Sequence, residues 1–232
     1  MADQYTGRLL SSDSHIVEPA DLWTTRMDKQ WRDKAPRIEM LDETGDYIVI
    51  DGLRPRPLAF EGPMADLKAQ GMDIPKAKGY RYSDNRPGTW DPNERLKDQD
   101  IDGVSGEVIY PGVGLTLVRA PDAEYLYACC RAYNDWLAEY CQPYPERLKG
   151  IAMIPMQDPE AARKEIRRAV EQLGMVAVQV LTNFGGKLLH EEEFDPIWEE
   201  AQGLGVPVCA HIISTNSAGI DRFDRYVFKH AF

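Results

Sequence analysis

Four short segments, VSGEVIYPG, LKGIAMIPM, MVAVQVL and VPVCAHI, are apolar almost throughout, and helix-like stretches separate them. A strand with one wet face alternates apolar and polar residues; these do not, so both of their faces must be covered. Parallel neighbours need a crossover of a dozen or more residues, usually a helix. The pattern therefore predicts an α/β protein with a parallel sheet wrapped in helices.

The intervening segments carry helix punctuation. In AEYLYACCRAYNDWLAEYC one face collects Leu126, Cys129, Cys130, Tyr133, Leu137 and Cys141. Asp158 as N-cap and Pro159 open a helix whose inner face is Ala162, Ile166, Ala169, Val170 and Leu173, with Gly174 closing it. Asp195 and Pro196 open another, which ends near Gly203 or Gly205. Upstream, Asp91, Pro92 and Gly103 bracket a helix in WDPNERLKDQDIDGV. The apolar lead LLSSD, residues 9–13, completes a count of five strands. PRIEMLDETGDYIVIDG reads as a hairpin with DETG at its turn, and residues 53–91, rich in Pro, Gly and Arg, read as a long excursion. Residues 36–91 are thus expected to be an insertion between the first strand and its helix, inside one domain over residues 1–232.

Charge narrows the function. The 232 residues carry a net −11, and a chain this acidic does not gain affinity by neutralising nucleic-acid phosphates. No apolar run approaches the roughly 18 residues of a spanning helix, and MADQYTGRLL lacks the regions of a signal peptide, so a cytoplasmic protein without a membrane partner is expected. Cys129, Cys130, Cys141 and Cys209 show no paired spacing and are read as reduced core residues.

In sheets of this kind ligands gather at the carboxyl ends of the strands. Asp13, His15 and His211 all fall there. Residues two apart on a strand share a face, so Asp13 and His15 can converge, and a curved sheet would bring His211 towards them. Imidazole and carboxylate suit zinc or a similar divalent ion, and three ligands leave a position open. A buried histidine bonded to a carboxylate explains the same residues equally well. Glu18, His190, His230 and the NFGGK loop at residues 183–187 are weaker candidates. Trp23, Arg26 and Trp31 read better as an apolar face with a surface arginine than as a substrate contact. Ser14 and Ser214 have no neighbouring base. Lys149 opens a strand and Lys187 lies beyond one, so neither suits Schiff-base chemistry.

SSDSHIVEP, RLKDQDIDGVSGEVIYP, YNDWLAEYCQPYPERLKGIAMIPMQDPEAA and FDPIWEEAQGLGVPVCAH together resemble the amidohydrolase-related family of metal-dependent TIM barrels. This is the branch holding aminocarboxymuconate-semialdehyde decarboxylase and γ-resorcylate-type decarboxylases beside true hydrolases. The resemblance runs from about Asp13 to Phe232 and implies a TIM-barrel type (β/α)8 fold, of which the first five strand–helix units are present. It implies metal ligands at Asp13, His15 and His211, and a role for Glu18 in binding substrate or in holding His15. The ion would be divalent, zinc first, with manganese or magnesium as alternatives. The implied activity is hydrolysis or non-oxidative decarboxylation of a small carboxylic acid, aromatic or not, or of a cyclic substrate. A carboxylate at the first position leans towards the decarboxylases, and a homo-oligomer is compatible with the pattern. The family's later strands carry a catalytic histidine and, on the eighth, an aspartate that ligates the metal or moves protons, as general base in a hydrolase; neither has a match. The expectation is a chain truncated at its C-terminus, binding metal weakly and turning over negligibly by itself. The rival expectation is an inactive half-barrel serving as scaffold or interaction subunit.

Overall fold

The structure, a computed structural model, describes residues 7–58, 79–182 and 187–211. In chain order its main elements are β1 (Leu9–His15), α1 (Leu22–Arg26), β2 (Arg37–Asp42), β3 (Gly45–Val49), β4 (Arg56–Pro57), α2 (Pro92–Asp102), β5 (Val104–Tyr110), α3 (Val113–Leu117), α4 (Ala123–Cys141), β6 (Leu148–Met153), α5 (Pro159–Glu171), β7 (Ala177–Leu181), α6 (Asp195–Leu204) and β8 (Val208–His211). Five strands pair in parallel in the order β1-β5-β6-β7-β8. This is the strand–helix succession of a TIM-type barrel over part of its circumference.

The helices start where local chemistry says they should. The Asp91 carboxylate accepts from the Asn93 N–H with Pro92 in the first turn, and the Asp158 carboxylate accepts from the N–H groups of Glu160 and Ala161. Each satisfies donors that the first turn would otherwise leave open. Gly103 and Gly205 close α2 and α6 at φ +70° and +68°, a conformation that costs other residues a Cβ clash. The start of α6 differs from the reading above. Phe194 is its N-cap, without a side-chain hydrogen bond, and Asp195 already lies in the first turn.

Two-sided burial holds at the centre of the sheet. All five residues of β7 are buried, and so are all of β6 but Lys149. One face packs on the helices through a core that includes Ile109, Leu126, Tyr133, Leu137, Ile166 and Val178. The opposite face carries a small cluster of Tyr110, Ile151 and Ala177. β1 is different: its LLSSDSH is mostly exposed, pairs among the described residues only with β5, and extends two residues beyond the apolar lead.

A buried polar knot ties the layers together. Asn134 on α4 donates to the Met153 carbonyl at the end of β6 (2.9 Å) and to Glu165 on α5 (2.8 Å), and the Arg168 guanidinium grips both oxygens of that carboxylate. The predicted hairpin is present as antiparallel β2 and β3, with β4 completing a small second sheet. All four cysteines are free, with Cys129 and Cys130 buried. Among the described residues no helix is long and apolar enough to cross a membrane.

Candidate metal centre

The carboxyl ends of β1 and β8 meet. His15 Nε2 lies 3.2 Å from His211 Nε2, and Asp13 Oδ1 lies 3.4 Å from each of those nitrogens. The triangle joins opposite ends of the five-stranded order, so sheet curvature brings it together. It opens to solvent: the Asp13 side chain is 67% exposed and that of His15 38%.

Local bonding sets the state of His15. Its Nδ1 is 2.8 Å from the Pro111 carbonyl oxygen, which can only accept. Nδ1 is therefore the donor in this bond, the tautomer that directs Nε2 towards His211 as the nitrogen able to ligate. A histidine that ligates a metal shows this arrangement, with the far nitrogen donating to a carbonyl or carboxylate. The spacing also fits: donor atoms about 2.1 Å from a tetrahedral ion stand about 3.4 Å apart. Tyr110, beside His15 in the β1–β5 register, packs its ring at 5.8 Å from the His15 ring and 5.3 Å from that of His211. Burial, and then a hydrogen bond with the Cys209 thiol, push its phenol above the usual range.

Glu18 lies in a separate cradle. Its Oε1 accepts from the N–H of Gly112 (3.0 Å) and of Gly114 (3.1 Å), and its Oε2 from that of Val113 (2.8 Å). The residue is 1% exposed. Burial pushes its carboxyl up to about 7, against the opposite pull of those N–H groups. The turn it clasps needs glycine, since a Cβ at Gly112 would stand 2.2 Å from the Ile16 carbonyl oxygen. Pro111, whose carbonyl sets His15, is the residue before that turn. Glu18 thus reaches the cluster through backbone.

The other candidates lie elsewhere. Trp23 is buried and donates to the Cys129 carbonyl (3.2 Å), Arg26 pairs with Glu139, and Trp31 packs on Tyr125, so this segment is fastened to α4. His190 is exposed. Ser14 bonds Ser11 and Glu107, and Lys187 pairs with Glu193. His230, Ser214 and most of NFGGK lie outside the described residues. Sequence reasoning missed Tyr110 and Pro111. YPG marked a loop, with nothing to show that its carbonyl would orient a histidine 96 positions away.

The model of the family described as Amidohydrolase matches residues 21–226. The chain belongs to the amidohydrolase family. The match takes in His211 and begins just after Asp13 and His15, which rest on the geometry above. Among curated relatives, the chain is 36% identical to a γ-resorcylate decarboxylase of Rhodococcus jostii, over 54% of this chain and 44% of that one. It is 31% identical to the 2-amino-3-carboxymuconate-6-semialdehyde decarboxylase of Dictyostelium discoideum, over 59% and 37%. The chain thus spans less than half the length of these relatives. Among solved structures, an amidohydrolase of Mycobacterium avium subsp. paratuberculosis superposes with TM-score 0.72 at 23% identity, over 94% of this chain and 62% of that one. The 5-carboxyvanillate decarboxylase of Novosphingobium aromaticivorans, solved with bound manganese, superposes with TM-score 0.62 at 20% identity, over 94% and 54%. These likenesses establish the barrel-type fold.

Proposed function

We propose that Asp13, His15 and His211 hold a divalent metal ion, and that the protein is a non-oxidative decarboxylase of small aromatic carboxylic acids. The observation that carries this is the convergence of two imidazole nitrogens and a carboxylate oxygen within 3.4 Å of one another at the strand ends. The choice of decarboxylation over hydrolysis follows the curated relatives, whose names are those of decarboxylases. The ligand set suits zinc and manganese alike, and the manganese in the carboxyvanillate enzyme makes that ion the first to test.

When bound, such an ion supplies positive charge to hold a substrate carboxylate and a neighbouring oxygen. The chain's own residues prepare the place. Pro111 keeps the His15 proton on Nδ1, and Glu18 fixes the turn that follows Pro111. Tyr110 presents an aromatic wall to both imidazoles. The role of Glu18 in this reading is to hold His15 through Pro111 rather than to touch substrate.

The test pairs thermal melting over a titration of Mn²⁺ or Zn²⁺ with CO₂ release from a panel of hydroxybenzoates. Saturable stabilisation that His15→Ala and His211→Ala abolish supports the metal site, and CO₂ release that depends on the ion supports the reaction. A melting temperature indifferent to both ions would remove the metal centre and favour the non-catalytic scaffold.

A further inference from the structure

The strand that carries Asp13 and His15 is irregular where it matters. Ser11 pairs with Glu107 and Ser14 with Ile109, so three steps along β1 match two along β5, and the extra residue makes a bulge that contains Asp13. Bulges unpair a strand locally and re-aim its side chains. On a mostly exposed strand that among the described residues is paired on one side, such a feature keeps its shape only if something holds it.

A bridge and a buried ion pair grip this one. Across the bulge, the Ser11 and Ser14 hydroxyls are 2.6 Å apart, and Ser14 donates on to Glu107 Oε1 at 3.3 Å. Glu107 Oε2 accepts from Arg95 Nε and from Gln99 Nε2. Arg95 Nη1 then returns to β1 and donates to the carbonyl of His15 itself at 3.0 Å. Both charged side chains are nearly buried, 9% and 13% exposed. A buried ion pair is a weak source of stability beside apolar packing, and fixing one conformation is among the uses such pairs serve.

We infer that Glu107 and Arg95 are positioning residues: through Ser14 and the His15 carbonyl they fix the β1 bulge that aims Asp13 and His15 at His211. This rests on the metal-site reading above. The probe is Co²⁺ alone, added to the purified chain, with its visible absorption spectrum and dissociation constant as readouts beside the melting temperature of the metal-free protein. Ser14→Ala cuts the hydroxyl link to the bulge and leaves the ion pair and the Arg95 bond to the His15 carbonyl whole. It is expected to weaken Co²⁺ binding about tenfold, the lower end of what loss of a group supporting a metal ligand costs, and to alter the spectrum. Ser14→Thr, which keeps the hydroxyl, is expected to restore both. Glu107→Gln is expected to weaken binding further, and a failure of that variant to fold leaves the serine pair decisive. If the unaltered chain binds no Co²⁺, the metal reading and this inference fall together. If it binds, and Ser14→Ala binds equally with the same spectrum, the inference alone falls. A weaker affinity with an unchanged spectrum and a lowered metal-free melting temperature also overturns it, since that is general destabilisation.

Discussion

Two acids flank His15, and the structure treats them in opposite ways. Glu18 is sealed in with backbone N–H donors on both oxygens, while the Asp13 side chain is largely exposed, its Oδ1 3.4 Å from a nitrogen of each histidine. One carboxyl has all its partners within the fold and serves the scaffold. The other is exposed, beside imidazoles whose nitrogens face each other. The contrast teaches how a strand end can be rigid and exposed at once. The polar groups that shape the turn are buried and bonded a few residues from an acid that faces solvent.

The sharpest way to break that contrast is Glu18→Ala. It strands three buried N–H groups and opens a void, for a loss of about 4 kcal/mol in urea unfolding. A loss below about 1 kcal/mol would mean that the cradle is not holding the turn. The second effect is one of pH. With the Glu18 carboxyl at about 7 in the folded chain and 4.5 as the ordinary value, the folded state keeps a proton that the unfolded chain releases. Its contribution is therefore fully present below about pH 4.5, declines as pH rises to about 7, and is flat above, a total on the order of 3 kcal/mol. Glu18→Gln cannot titrate, so the stability difference between the two proteins should change across that window. Gln should also lose one bond, because two of the N–H groups share Oε1 and its amide nitrogen would face the third. A difference constant from pH 4.5 to 7 would place the carboxyl's proton elsewhere.

The same contrast explains what the sequence could show. The central strands were legible because burial on both faces demands apolar residues at every position of a segment such as AVQVL. The caps at Asp91 and Asp158 were legible because a cap is a local event, settled within three residues. The site was half legible. Spacing on β1 brought Asp13 and His15 together, and the parallel order of strands placed His211 on the same rim. The remainder is register and long-range bonding. The Ser11–Ser14 bulge depends on how β1 meets β5, the Glu18 acceptors lie 94 to 96 positions from their donors, and Arg95 reaches His15 across 80. Trp23, Arg26 and Trp31 gave no local sign of which element they would clasp; their partners are on α4.

A bound ion should sharpen the contrast by an amount set by occupancy. At a hundredfold excess over its dissociation constant, Mn²⁺ should raise stability by about 2.7 kcal/mol, and His211→Ala should remove that gain. Equal stabilisation of wild type and His211→Ala would show that the ion binds somewhere else.

The smallest expected effect is the most discriminating. Asp13→Ala in the metal-free chain should shift unfolding by no more than about 0.5 kcal/mol, the usual consequence of change at an exposed position. The Asp13 side chain is two-thirds exposed, so its packing is slight and its electrostatic interaction with the histidines is screened by solvent. The identical replacement at Glu18 is expected to cost several times more, although both are acids within three residues of His15. With metal present the order should invert for affinity, since Asp13→Ala removes a donor atom while any effect of Glu18 must pass through Pro111. A metal-free loss at Asp13 comparable to that at Glu18 would mean the exposed carboxylate is holding the strand end together, and its place beside the two histidines would cease to be an argument for an ion.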